Sequence, residues 1–122
     1  MILVDTSVWV RHFRDRDSML TELLGRGAAL THPFVIGELA LGNLRQRELV
    51  VRMLSQLPAA SVATNAEVLH FIDQKSLFGR GVGYVDVHLL AATKLTAGSQ
   101  LWTLDKRLNE VAAQLGMAAA SG

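Results

Sequence analysis

Two short, unbroken apolar runs in this chain end in aspartate, and each opens onto a helical segment. Ile2-Leu3-Val4 is closed by Asp5, and Leu101-Trp102-Thr103-Leu104 is closed by Asp105. A short run without polar alternation suits a strand buried on both faces, as a parallel sheet demands. The spacing predicts strands at residues 2–5, 28–31, 61–63, 100–103 and 117–119. Helical periodicity, caps and breakers predict helices at residues 7–14, 18–25, 33–43, 45–57, 65–78, 84–97 and 106–115. Strands alternating with helices define an α/β chain with a three-layer arrangement. The expectation is a central parallel sheet of four to five short strands with helices on both faces. Residues 2–5 take the middle of the sheet, and one domain spans 1–122. The tail at residues 118–122 reads as loose.

Carboxylates at the ends of buried strands are costly unless something positive meets them. Four acids sit at such boundaries: Asp5, Glu38, Asp86 and Asp105. Ligands of open parallel sheets bind beyond the carboxyl ends of the strands, where Asp5 and Asp105 fall. Asp86 lies in the first turn of a helix, whose dipole favours an anion. Glu38 lies about one and a half turns into its helix, within reach of the same edge. Convergent carboxylates repel one another, so some of their pKa values should rise in the absence of a cation. Hard cations such as Mg²⁺ or Mn²⁺ prefer these oxygen donors. Such a cation lowers the pKa of a bound water and stabilises the leaving oxygen of a phosphodiester. Each acid also has a simpler use: Asp5 and Asp105 as helix N-caps, Asp86 as a first-turn dipole residue, Glu38 as a solvated position. Thr6, Ser7 and Thr103 flank the acids and are expected to support them through hydroxyl hydrogen bonds.

Other features carry less. His12, His32, His70 and His88 lack zinc-helix spacing and read as structural or surface residues. Gly79-Arg80-Gly81-Val82-Gly83 lacks a Walker ending and reads as a loop entering the Asp86 helix. Trp9 and Trp102 read as core. Setting four of the 11 acidic residues aside leaves seven against 12 Lys and Arg, a balance that permits a basic rim for a nucleic-acid backbone. Cysteine is absent, excluding disulfides and thiolate metal sites and agreeing with a reducing, cytoplasmic setting. No apolar run is long enough for a membrane span, and no basic segment precedes an apolar stretch as in a signal peptide.

The order of four motifs resembles a PIN domain, specifically a VapC-type toxin of a bacterial toxin–antitoxin pair. The carriers are Ile2-Leu3-Val4-Asp5-Thr6-Ser7-Val8-Trp9, Gly37-Glu38-Leu39, Gly83-Tyr84-Val85-Asp86-Val87-His88-Leu89-Leu90-Ala91 and Leu101-Trp102-Thr103-Leu104-Asp105-Lys106-Arg107-Leu108. The resemblance spans essentially the whole chain. It implies a Mg²⁺-dependent endoribonuclease with Asp5, Glu38, Asp86 and Asp105 holding the metal. It also implies a homodimer and a cognate antitoxin that covers the site. A haloacid-dehalogenase phosphatase would need a second Asp where Ser7 stands. A receiver domain would need paired early acids and an Asp where Thr64 and Asn65 stand. A PIN-like binding or scaffold module without catalysis remains the alternative; its mark would be loss of an acid, and all four are present.

The exposed-face question concerns residues 7–14 and 18–24. Val8, Trp9, Phe13, Leu20 and Leu24 are more apolar than two short helices easily bury, which predicts either packing on the sheet or a groove for a partner helix.

Overall fold

A computed structural model of the chain describes residues 1–120. Among them are three strands and seven helices. In chain order these are β1 (Ile2–Val4), α1 (Thr6–Arg14), α2 (Ser18–Gly25), β2 (Ala29–Leu30), α3 (Pro33–Leu41), α4 (Arg47–Ser55), α5 (Asn65–Lys75), α6 (Tyr84–Leu95), β3 (Gln100–Trp102) and α7 (Lys106–Gln114). The sheet is parallel, in the order β2-β1-β3. Leu3 pairs with Leu30 on one side and Leu101 on the other, so β1 is the central strand as its unbroken apolar sequence predicts. Leu3, Val4 and Leu101 are wholly buried.

The expectation of four to five strands is corrected to three. The two missing strands survive as single parallel bridges, Thr31 to Ala59 and Leu101 to Ala118. At the first edge, Thr31 N donates to Pro58 O and Ala60 N donates to Thr31 O. The Ser61 N–H then turns to Thr96 Oγ1, so residues 61–63 build no ladder. At the other edge, Leu101 N donates to Met117 O and Ala119 N donates to Leu101 O. Gln100 N and Trp102 O are already engaged with Met1 and Asp5 on the β1 side, so only Leu101 faces outward. The tail expectation is corrected in the same place: Ala118 is paired and Ala119 is buried, while Ser121 and Gly122 lie outside the described residues.

Helix ends follow local chemistry. Thr64 and Glu67 form a reciprocal capping box at the start of α5. Ser76, in the left-handed region at φ 52°, stops α5 at Lys75, short of the residue 78 that periodicity suggests. Pro33 sits in the first turn of α3, as its fixed φ favours. The surprise at that end is His32, which caps the helix: its Nδ1 accepts from Phe34 N at 3.0 Å. Only a neutral imidazole accepts there. Burial, helped by the neighbouring His88, lowers the His32 pKa to about 4. His32 is wholly buried and His88 nearly so, which places both in the structural role expected of them.

A stability prediction follows from His32. A folded pKa below the unfolded value near 6.5 makes protonation favour unfolding. Stability contributed by neutral His32 is fully present above pH 6.5 and is lost as pH falls toward 4. Thermal melts of wild type and of His32→Asn, which keeps an N-cap acceptor, should diverge across pH 4–7, the difference isolating this loss from the opposite contribution of Asp86. An unchanged acid limb in His32→Asn would assign the loss to other groups.

The apolar residues of α1 and α2 pack inward. Val8, Trp9 and Leu20 are wholly buried, and Phe13 and Leu24 pack partly buried against the core. The partner-helix groove suggested for these helices therefore gives way to packing on the protein's own sheet. Exposed apolar side chains lie elsewhere, notably Leu41, Leu49 and Phe34.

Candidate active site

Asp5 leaves the carboxyl end of the central strand and stands at the N-cap position of α1. Its backbone carbonyl accepts from Val8 N at 3.0 Å, but its carboxylate makes no capping bond. Instead Oδ2 receives two hydroxyls: Ser7 Oγ at 2.7 Å and Thr103 Oγ1 at 2.7 Å. The same hydroxyls accept backbone N–H groups, Leu104 N onto Ser7 at 3.0 Å and Asp105 N onto Thr103 at 3.0 Å. Two relays thus tie the turn after β3 to one oxygen of Asp5. The other oxygen, Oδ1, has no hydrogen-bond partner among the described residues. Asp5 is only 6% exposed. A buried carboxylate held by one oxygen and free at the other is set for a ligand rather than for capping.

Asp105 stands in the equivalent place after β3 and behaves differently. Its Oδ1 accepts from Leu108 N at 3.0 Å and so caps α7. It is exposed, and its second oxygen is not consumed by that bond. Glu38, in α3, accepts from Thr6 Oγ1 through Oε1 at 2.7 Å, which brings its carboxyl to the first turn of α1. Thr6, Ser7 and Thr103 therefore all bond to acids of the candidate site.

Asp86 lies in the first turn of α6, half-buried. Its pKa is raised to about 6, first by burial and then by the charges of Asp5, Asp105 and, more weakly, Glu38. The Gly83 backbone N–H opposes the rise. At Asp86 burial and three neighbouring carboxylates outweigh the backbone N–H at the helix N-terminus, so the rise expected of convergent carboxylates prevails. Neither ion pair found among the described residues, Arg11–Asp17 and Arg26–Glu22, involves any of the four acids.

The glycine-rich segment ahead of α6 is held by α7. Arg80 donates to Gln114 Oε1, and the Arg107 guanidinium lies against Gly81 where a Cβ would fall. Gly81, at φ +78°, holds a backbone conformation that favours glycine; a side chain there would also displace the flexible end of Arg107. The segment is structural, and Arg80 is engaged with α7 rather than turned to a phosphate.

Among the described residues, no three Asp, Glu or His side chains stand close enough to form a ready metal-binding group. Asp86 instead senses the charges of Asp5, Asp105 and Glu38 through space. The charge state still fits a divalent cation. Every donor is a hard oxygen, no basic side chain neutralises the cluster, and one acid is already pushed toward its neutral form. A groove of about 350 Å³ between α5 and α6 is lined by none of the four acids. Sequence reasoning missed Phe34 as a neighbour of the site: it lines one groove with Glu38, and its ring meets that of buried His88 at 4.7 Å and 64°. The only signal was Phe34 lying one helical turn before Glu38.

A parallel three-stranded sheet with an acid at the carboxyl end of its central strand has a counterpart among known proteins: the PIN-domain family model matches residues 2–114, and the chain belongs to that family. The chain is also 49% identical over 120 residues to Ribonuclease VapC32 from two strains of Mycobacterium tuberculosis, covering 98% of this chain and 97% of the relative in each case. No helix is long and apolar enough to cross a membrane among the described residues.

The hydroxyl relays make a graded test. Ser7→Ala and Thr103→Ala each remove one donor to Asp5 Oδ2 and free one backbone N–H. Each should weaken activation by a divalent cation by about 10- to 100-fold, the usual cost of losing a group that orients a ligand. The double variant should fall short of the product, because both hydroxyls act on one oxygen. Metal titrations of activity read both; strictly multiplicative effects would show that the two hydroxyls act on separate things.

Proposed function

We propose that this protein is the endoribonuclease toxin of a toxin–antitoxin pair, hydrolysing RNA phosphodiester bonds with Mg²⁺, for which Mn²⁺ can substitute. The observation that carries the reading is the uncompensated acidic group around Asp86, set against a buried Asp5 carboxylate with one oxygen free. The 49% identity to a protein named as a ribonuclease over nearly the whole chain supports it.

Asp5, Glu38, Asp86 and Asp105 would hold the cation. When bound, it supplies Lewis-acid charge for phosphodiester hydrolysis. The chain's own residues do the rest. Ser7 and Thr103 fix Asp5 in one rotamer, so its free oxygen points to a constant place. Thr6 does the same for Glu38. Asp105 rests on α7 through its capping bond. Asp86, with its pKa raised to about 6 in the metal-free site, is where a proton competes with the cation. Without a cation, this much negative charge repels a phosphate backbone, so RNA binding should depend on metal.

The proposal includes a homodimer and a cognate antitoxin that inhibits by covering the acids. An Arg from such a partner would substitute for the cation's charge with a bidentate pair to two carboxylates. Cytoplasmic action is part of the same reading.

Three experiments bear on it. Induced expression should arrest growth, with mapped 5′ ends revealing cut RNAs. Purified protein should cut RNA with Mg²⁺ and stop with EDTA. The product of the adjoining reading frame should co-purify and silence the activity. Metal-independent cleavage would overturn the mechanism. A toxin that elutes alone and fully active beside that expressed neighbour would instead describe a free nuclease.

A further inference from the structure

A groove of about 510 Å³ adjoins Glu38, lined by Phe34, Glu38 and Leu41 of α3, Val85 of α6 and Arg47 at the start of α4. We propose that this groove receives one unstacked nucleotide of the substrate RNA, its base on Phe34 and a phosphate on Arg47. The inference rests on the endoribonuclease reading and adds to it a place where the RNA is held.

Phe34 is built as a platform. The residue is 37% exposed, yet its ring packs edge-to-face with two buried imidazoles, His32 at 5.1 Å and His88 at 4.7 Å. Tyr84, itself exposed, meets the other side of His88 at 4.7 Å and continues the aromatic row. A phenyl ring so held loses little freedom when a base stacks on its exposed surface. Leu41, 90% exposed, leaves apolar surface at the rim for a base edge or ribose.

Arg47 supplies the opposite character. Its Nε donates to Ala40 O, which pins the guanidinium against the end of α3. Among the described residues it has no carboxylate partner, so its remaining donors are available for a phosphate. The preceding residue, Gln46, holds the left-handed region at φ 54°. That conformation is uncommon for glutamine and turns the chain so that Arg47 returns to α3. Phe34 and Ala40 are six residues apart, about 9 Å along the helix axis, a span comparable with base to phosphate in one nucleotide. Glu38 lies between them. The groove therefore joins a stacking surface, a candidate metal-site acid and an unpaired cation in one line. Apolar surface alone would suit a peptide as well; the unpaired Arg47 beside Glu38 favours a phosphate-bearing strand. A paired duplex keeps its bases inside, so the occupant is single-stranded.

The test uses a single-stranded oligoribonucleotide of about ten nucleotides, with 2-aminopurine at successive positions, and the full-length protein with Mg²⁺. Phe34→Leu and Arg47→Gln should each raise KM roughly tenfold while kcat changes little, since both residues bind rather than react. Phe34→Tyr should restore KM. One 2-aminopurine position should be quenched on binding wild type and Phe34→Tyr, but not Phe34→Leu. Phe34 touches buried histidines and Arg47 bonds to the end of α3, so melts accompany the variants of both, and a raised KM at unchanged Tm and kcat reads binding alone. If wild type cuts the probe and both variants show wild-type KM, the nucleotide groove is wrong and the nuclease reading stands. If wild type cuts no RNA with Mg²⁺, both fall together. If the variants cut normally but lose the co-purifying partner, the groove is a protein-docking face and the nucleotide assignment is overturned.

Discussion

Asp5→Asn is expected to abolish RNA cleavage, by at least about 100-fold, and to leave the protein folded. The loss should exceed the effect of an orienting residue, because Asp5 would contact the cation itself. The fold should persist because asparagine is nearly isosteric. Its amide oxygen can accept both the Ser7 and Thr103 hydroxyls where Oδ2 now does, and its amide nitrogen then occupies the place of the free Oδ1. Asp5→Ala should behave differently. It strands both hydroxyls, one of them on buried Thr103, and should cost about 1–3 kcal/mol of stability in addition to activity. Cleavage assays with thermal melts on the pair separate the two roles. An unfolded Asp5→Asn protein would show that the carboxylate charge itself holds the turn after β3 in place.

Asp86→Asn should also lose cleavage, yet the metal-free protein should become more stable. The folded pKa of about 6 lies above the unfolded value of 3.8. Ionisation therefore favours unfolding: stability falls as pH rises through that interval, and the full cost is present above pH 6. Asparagine removes it. Because Asp86 is half-exposed, solvent screening reduces the benefit to about 1 kcal/mol, or about 3–5 °C in Tm, above pH 6. The gain should vanish below pH 4, where both proteins are neutral at this position. Mg²⁺ should raise the Tm of wild type by mass action and act far less on the variant. In wild type, the concentration of Mg²⁺ needed for cleavage should rise as pH drops below 6, because a proton competes with the cation at Asp86. An Asp86→Asn protein that is less stable at pH 7 would mean that Asp86 is compensated by a contact stronger than the repulsion around it.

Much of this molecule is legible in the chain. Ile2-Leu3-Val4 has no polar alternation and can be only a strand covered on both faces, which makes β1 central before any contact is known. Pro33, the Thr64–Glu67 capping box and the acids at segment boundaries are equally local signals, because each depends on neighbours within one helical turn. Strand length was less legible. Residues 61–63 and 117–119 look extended, but a ladder needs a partner with free outward groups. Ser61 gives its N–H to Thr96, and β3 offers only Leu101.

The sharpest division concerns Asp5 and Asp105. As sequence they are equivalent: each ends an apolar run and starts a helix. Asp105 caps its helix, since nothing draws its Oδ1 away from Leu108 N. Asp5 gives up that role because Thr103, 98 residues distant along the chain, reaches its carboxylate across the β1–β3 pair. The chain by itself determines that both positions carry a carboxylate at the mouth of the sheet. Only the tertiary structure decides which one caps a helix and which is left with an open oxygen. The reason is physical: a hydrogen-bonding group takes the best partner within about 3 Å, and long-range packing alone decides which partners are that close.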